Sequence, residues 1–414
     1  MAHTTLFSYI WKRMVMYIEE SEIAVVGAGP AGLIAAREAS LRGAEVSVFE
    51  EHYEIGLPCH CAGLLSVKGL HEIGVPPYGT YVQNKIRGAC FYSPSNLSFT
   101  IEGRDYVAYV VNRRMLDCFL AEQALKSGSR IKLNSRVQSV KRDGEWILNV
   151  NRRDNFKAKL LIDAEGALPR VLKTSGLNLR ILDKNDFLNG LQADISGVKV
   201  DPEHVEVHLG SGVAPGFFAW VIPLNDGEAR VGLACKNSNL KDLLFSFIRK
   251  RFRGFEGINM RSFYSGFIIT CGPIEKTYSD GLMVVGDAAG QVKPISGGGV
   301  VFGGICASIA GRVASEAIKR NSLEKKFLKT YQDEWKERLG REFKIALLAR
   351  KILNRLSDRE IDRIFSIVIE EGIHDEISAG GDMDFQGTSI LKIMGKRRIL
   401  KFLPTLLKAA LVFR

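Results

Sequence analysis

Gly27-Ala28-Gly29-Pro30-Ala31-Gly32 is a glycine-rich run of the kind that lets a backbone approach a pyrophosphate. It follows a short apolar stretch, residues 22–26, and precedes residues 33–42, which have helical spacing. Gly27 permits the tight turn, Gly29 keeps a side chain out of the way of a phosphate, and Gly32 lets the helix pack close to the strand. The helix start then points unpaired amides and the positive end of its dipole at an anion. A second apolar stretch, residues 45–49, ends in Glu50, 23 residues after Gly27 and well placed to accept hydrogen bonds from a ribose diol. Strand, loop, helix, strand and acid in this order predict a dinucleotide site.

Two further segments select FAD over NAD. Residues 281–290 read Gly-Leu-Met-Val-Val-Gly-Asp-Ala-Ala-Gly, an apolar strand delivering Gly286 and Asp287. Pro294 and Gly297-Gly298-Gly299 follow, at the head of a helix rich in small residues. An aspartate there can hold ribityl hydroxyls, and the glycine run can turn backbone amides toward the negative side of a reduced isoalloxazine. Between these segments, Arg113-Arg114-Met115-Leu116-Asp117 heads another helix, from which Arg113 can reach the pyrophosphate.

These three pieces resemble the para-hydroxybenzoate hydroxylase group of FAD flavoproteins, over about residues 23–318. The resemblance implies that Arg113 contacts FAD and that Ala31, Ala62, Gly63, Val137, Gly299 and Val300 also lie at the cofactor. Asp163-Ala164-Glu165-Gly166 stands where the group's motif usually ends Asp-Gly, with a glutamate in place of that aspartate. Within the group, Pro58-Cys59-His60-Cys61-Ala62-Gly63 resembles the Pro-x-x-Cys-Ala-Gly loop of geranylgeranyl reductases. This match implies that Cys61 is the family cysteine near the flavin and leaves Cys59 as an extra. Residues 215–223, Pro-Gly-Phe-Phe-Ala-Trp-Val-Ile-Pro, are similar to the reductases' substrate motif Pro-x-x-Tyr-x-Trp-x-Phe-Pro, with Phe218 for the tyrosine and Ile222 at the second phenyl position. By that match Phe218, Trp220 and Pro223 contact substrate. The Gly-Asp segment also continues Ala-Ala-Gly-Gln-Val-Lys-Pro, as in the reductases, where typical hydroxylases place a histidine after the two alanines.

The implied activity is reduction of isoprenoid double bonds in precursors of archaeal-type membrane ether lipids. An unactivated alkene gives a hydride no electron sink. A proton must therefore reach the less substituted carbon, building tertiary cation character that hydride from reduced flavin quenches, in a dry site. Cys61 is the candidate proton donor or redox gate, set against a packing cysteine; His60 and Tyr264 are weaker candidates. An apolar wall of Phe217, Phe218, Trp220 and Ile222 suits a hydrocarbon chain, although strand alternation sends some of them into a core instead. The competing readings are a flavin monooxygenase or halogenase, opposed by Gly290 and the Cys61 loop, and a quinone-linked dehydrogenase. The electron donor stays open between NAD(P)H and a ferredoxin-like protein.

The elements around these motifs give an α/β fold: a discontinuous Rossmann-like FAD-binding domain, an inserted, mostly antiparallel β-sheet substrate domain and a helical C-terminal region. The expected divisions are an N-terminal extension (1–20), an FAD-binding part (21–178) lending about 76–110 to the substrate sheet, the sheet domain (179–279), a second FAD-binding part (280–325) and the helical region (326–414). Residues 179–272 read as mostly strands, residues 115–127 as a helix, and residues 131–150 as a strand pair turning at Asp143-Gly144. With 414 residues, 46% of them hydrophobic, the chain can bury a large core in more than one lobe. No apolar run reaches the ~20 residues of a membrane span, and residues 1–18 lack a small-residue cleavage site, so neither a transmembrane helix nor a signal peptide is expected; Met14 or Met16 is a plausible alternative start. The seven scattered cysteines match no metal spacing and suit a reducing cytoplasm. The formal charge of +11 is concentrated in residues 391–414, which mix basic and apolar residues and contain no acid. Such a tail fits an anionic membrane surface, for a peripheral protein on the inner face, and equally a C-terminal helix packed on the core. No nucleic-acid recognition motif accompanies the charge.

Overall fold

Parallel strands covered on both faces are written as near-continuous apolar runs, and Ile23, Val25, Val46, Val48, Leu160 and Ile162 are all fully buried. A computed structural model describes residues 19–77, 79–176, 179–183, 185–236, 239–389, 391, 392 and 402. The first 18 residues and all of the basic tail except Leu391, Lys392 and Phe402 lie outside the described residues. In the first sheet, Glu19–Val26 pairs in parallel with Val46–Phe49 on one side and Asp154–Asp163 on the other, and Leu282–Val284 continues the parallel order beyond Asp163. The chain thus leaves this sheet after Asp163 and returns to it with the edge strand Tyr278–Ser279 and then Leu282–Val284, bringing Asp287 beside the glycine loop. The hairpin Val137–Asp143 and Glu145–Val150 adds on antiparallel, turning at Gly144, whose φ is +70°.

The second sheet runs, in spatial order, Asn259–Ile269, Phe187–Ser196, Glu228–Cys235, Phe218–Asn225, His204–Leu209, Gly88–Tyr92 and Ser98–Glu102. Its pairings are antiparallel apart from His204–Leu209 against Gly88–Tyr92, which is parallel. One face carries the helix Leu240–Arg251, capped by the Asn239 side chain, which accepts from the amides of Lys241 and Asp242. That helix interrupts the stretch expected to be mostly strands. Its buried stripe of Leu244, Phe247 and Ile248 packs against Ala219, Val221 and Val231, and burying each such side chain contributes ~1.5–3 kcal/mol. The opposite face is free to line a cavity.

The helix Val300–Lys319 packs between Pro30–Ser40 and Lys325–Leu353. Small residues set the spacing: a Cβ at Gly311 would lie 2.3 Å from the Ala35 carbonyl oxygen. This 20-residue helix is long and apolar enough to cross a membrane by length and composition, its most apolar 18-residue window having a mean hydropathy of 1.3, although no unbroken apolar run marks it. Its glycines, serines and Arg312 break the runs without lowering the average enough. With 72% of the apolar window buried inside the protein, its apolarity matches that of a core helix. The long helix Lys325–Leu353 is tied down by Tyr331, whose hydroxyl donates to the Val284 carbonyl at 2.7 Å, and by Trp335, whose indole donates to Thr277 at 3.0 Å. The helices Asp358–Glu370 and Ile373–Gly380 then fold back over the second sheet, against Ser98–Glu102.

Candidate active site

The glycine loop between Glu19–Val26 and Pro30–Ser40 is shaped by close approaches. Gly27 has φ +101° and a Cβ there would lie 2.3 Å from the Ala164 carbonyl oxygen; a Cβ at Gly32 would lie 1.9 Å from that of Gly27. Gly29 is different: nothing stands within 4 Å of its Cβ position, and the space opens into a cavity of about 1800 Å³. Gly29 is also the N-cap of the helix and its side gives no cap, so the helix's first amides stay available to a phosphate. Glu50, at the end of its strand, accepts from the Ala28 amide at 2.9 Å and shares a 2.6 Å hydrogen bond with His52 Nδ1. Gly32 does not line the cavity; it supports the loop by packing.

Arg113 opens the helix Arg113–Lys126 and pairs with Asp117 one turn on, at 3.0 Å, both largely buried. Burial works against the Arg113 charge, but Asp117 and the adjacent Cys61 more than offset it and leave the guanidinium more firmly protonated than usual. Burial raises the Asp117 carboxyl in spite of Arg113. Asp287 comes three residues after the end of Leu282–Val284; burial raises its carboxyl too, with Arg113 partly opposing. Its Oδ1 lies 2.8 Å from the Cβ position of Gly299, the N-cap of Val300–Lys319, so any side chain there would displace the carboxylate. Ala31, Val137, Gly299 and Val300 all line this half of the cavity. A bare glycine backbone, two helix N-termini, an acid at ribose distance and a buried Arg–Asp cluster fit FAD from pyrophosphate to ring. Glu165, the departure from the family motif, is occupied elsewhere: it accepts from the amides of Arg170 and Val171 at 2.7 and 2.6 Å, at the start of the short helix Val171–Thr174.

The Cys59–Gly63 loop lies where the two halves of the cavity meet. Arg230, 6% exposed, donates to the Ala62 carbonyl at 3.0 Å and grips Asp194 through two nitrogens at 2.7 and 2.9 Å. Gln192 Nε2 donates to the His60 carbonyl at 3.2 Å, and the Gly63 carbonyl accepts from the Val111 amide at 2.8 Å. Cys61 Sγ accepts from the Gly63 amide at 3.4 Å and lies beside Arg113. Burial raises the neighbouring Cys59 thiol. Sequence reasoning missed Arg230 and Asp194; their pairing depends on two adjacent strands, Phe187–Ser196 and Glu228–Cys235, that leave no local pattern.

Beyond the loop the cavity becomes an apolar gallery. Phe218, Trp220 and Ile222 alternate along Phe218–Asn225 and face it, and Phe217 stacks on Phe218 with ring centroids 4.1 Å apart. Pro223, expected at the substrate, is not part of the lining. It falls on the opposite phase of the strand, next to a register shift, is buried, and its carbonyl accepts from Asn84 at 3.0 Å. The far wall comes from residues the sequence did not single out: Phe91 and Phe99, stacked at 5.2 Å, and Phe365 and Val368 of Asp358–Glu370. The apolar spacing of Ile361, Ile364, Phe365 and Val368 was the available signal for that helical face. At about 1800 Å³ the cavity exceeds the ~300–1000 Å³ of an ordinary ligand site, which leaves room for a long second molecule beside a dinucleotide.

A dinucleotide with a redox ring at its far end, meeting a hydrocarbon-lined gallery, makes the chain an FAD-dependent oxidoreductase. Comparison with known proteins agrees. Residues 21–213 match the family model described as pyridine nucleotide-disulphide oxidoreductase, and residues 186–266 that of the geranylgeranyl reductase catalytic domain. Digeranylgeranylglycerophospholipid reductase 2 of Methanopyrus kandleri is 31% identical over 94% of this chain and 98% of its own. The crystal structure of a geranylgeranyl bacteriochlorophyll reductase-like protein from Thermoplasma acidophilum superposes with a TM-score of 0.84 at 28% identity, covering 94% of this chain and 98% of that one. A flavin-dependent brominase, 18% identical with a TM-score of 0.67 over 87% of this chain and 92% of its own, shares the fold alone. The chain belongs to the geranylgeranyl reductase family.

Proposed function

We propose that the protein saturates the geranylgeranyl chains of an archaeal-type membrane ether lipid precursor. One observation carries this reading: a single cavity runs from the Gly29 and Asp287 cradle, past Cys61, into the gallery of Phe218, Trp220 and Phe365. When bound, FAD supplies the hydride. The chain's own residues do the rest. Phe217, Phe218 and Trp220 bind the hydrocarbon and exclude water, so that a carbocation-like carbon meets no competing nucleophile. The uncapped amides at the head of Val300–Lys319 would favour negative charge on a flavin ring bound beside them. The clamp of Arg230 and Asp194 fixes the loop so that Cys61 Sγ can hold a proton at the junction of ring and chain. The acidic gap in residues 391–414, with its mix of basic and apolar side chains, supports a peripheral site on the inner membrane face from which the lipid is drawn. Electrons would come from NAD(P)H or a ferredoxin-like donor. The test is anaerobic: the dithionite-reduced protein is mixed with digeranylgeranylglyceryl phosphate, or with its fully saturated counterpart, and flavin absorbance is followed. Oxidation by the unsaturated lipid alone is expected; a flavin that stays reduced with both removes the reading.

A further inference from the structure

Several cationic side chains line the cavity, and nearly all have a carboxylate partner. Arg87 pairs with Glu203, Arg113 with Asp117, Arg136 and Arg170 with Glu51, and Lys293 with Asp384. Arg350, on the long helix Lys325–Leu353, has none among the described residues. The residues outside the description contain no aspartate or glutamate, so no side-chain carboxylate remains for it. Arg350 is 6% exposed. One of its terminal nitrogens donates to the Gly216 carbonyl, and its Nε has no partner. Its guanidinium lies over the Phe217 ring, 4.7 Å from the centroid. Burial alone lowers its pKa to about 10, which still leaves the cation in place at neutral pH.

A buried guanidinium without a counter-charge is destabilising, and a carbonyl and an aromatic face compensate for only part of the lost hydration. Arg350 is part of the cavity lining, so a ligand there can bring the missing charge. The position is informative. Phe217 Cζ lies 3.7 Å from the Cβ position of Gly297, so Arg350 stands one aromatic ring away from the flavin loop, on the gallery side. A planar fork of N–H donors matches the oxygens of a phosphate or a carboxylate, and phosphate is the anion a prenyl lipid headgroup carries.

We propose that Arg350 is the docking point for the phosphate of the prenyl substrate's headgroup, holding that headgroup inside the cavity while the chain passes the flavin. The assignment of substrate class rests on the reading given under Proposed function; the anion site itself does not.

The test uses the full FAD-loaded protein, Arg350→Met and the conservative Arg350→Lys, with flavin content checked by absorbance. Inorganic pyrophosphate is titrated calorimetrically into each. Each is also assayed with digeranylgeranylglyceryl phosphate and with the neutral diether that lacks the phosphate. The ratio of kcat/KM for the phosphorylated over the neutral lipid should fall about 10- to 100-fold in Arg350→Met, mostly through KM, the loss expected for charge-assisted hydrogen bonds. Arg350→Lys should recover part of it, and the pyrophosphate site should be lost in Arg350→Met. An unchanged ratio, meaning that both lipids suffer equally, would reduce Arg350 to a packing residue on Phe217 and overturn the proposal. Pyrophosphate binding that is the same in all three proteins would overturn it as well. If pyrophosphate binding depends on Arg350 while the wild type reduces neither lipid, the anion site stands and the prenyl reductase reading falls.

Discussion

Replacing Arg113 with methionine tests the cofactor half of the site, because two consequences of opposite origin should appear together. Arg113 is a buried cation whose charge acts on both Asp287 and Cys61, and its partner Asp117 is itself only 6% exposed. If Arg113 meets the pyrophosphate as proposed, Arg113→Met should cost about 1.5–3 kcal/mol, which is about 10- to 100-fold in the FAD dissociation constant. It also strands the Asp117 carboxyl. Burial already raises that carboxyl while Arg113 opposes the shift, so without Arg113 its pKa rises further. An acid whose folded pKa is raised binds its proton more tightly in the native state, so stability falls as pH rises from the ordinary carboxylate value up through the raised one. The apo variant should therefore melt well below wild type at pH 7, with a deficit that shrinks as the pH is lowered and Asp117 takes up its proton. Flavin fluorescence quenching gives the affinity, and thermal melts of apo protein across pH give the deficit. Native FAD affinity combined with a pH-independent deficit would refute both the placement of Arg113 at the cofactor and its pairing role.

Other perturbations separate the remaining parts. Cys61→Ser should retain FAD yet cut turnover measured by lipid mass spectrometry; full turnover would take the thiol out of the chemistry. Glu165→Asp restores the family's usual residue but shortens the side chain that accepts from Arg170 and Val171. It should cost about 1 kcal/mol in urea unfolding while leaving FAD affinity as it was. Glu206→Gln probes the opposite pH sign from Asp117: burial pushes the Glu206 carboxyl up, but hydrogen bonds and charge from Arg251 and His208 outweigh it and hold it low. Its contribution, about 2 kcal/mol, is present above the ordinary glutamate value of ~4.3 and lost as pH falls through the depressed one. Wild type and variant melts should then converge in acid.

Residues whose role depends on local backbone geometry were legible in the sequence. The glycine loop, Glu50, Asp287 and Gly299 each sit at a strand end or helix start, so neighbouring residues specify their surroundings. The aromatic strand was readable as a two-residue alternation, which correctly leaves Phe218, Trp220 and Ile222 on one face; the same alternation carries Pro223 away from the cavity. What could not be read depends on contacts across long sequence separations. Gly88–Tyr92 lies beside His204–Leu209, Arg230 reaches the Ala62 carbonyl, and Phe99 meets Phe365 with ring centroids 4.9 Å apart. The gallery's far wall comes from a helix whose apolar stripe gives no hint of what it will cover. Arg350 looked like one more basic residue on a charged helix, and only its buried guanidinium, without a carboxylate partner among the described residues, sets it apart.

The claim that one cavity joins FAD to a prenyl chain is tested most directly by mass spectrometry of digeranylgeranylglyceryl phosphate after anaerobic incubation with the protein and dithionite. Products heavier by one H2 for each double bond reduced, formed without air and reduced in yield when Trp220 is replaced by glutamate, are the predicted result. A lipid unchanged without air that gains oxygen once air is admitted would contradict the account.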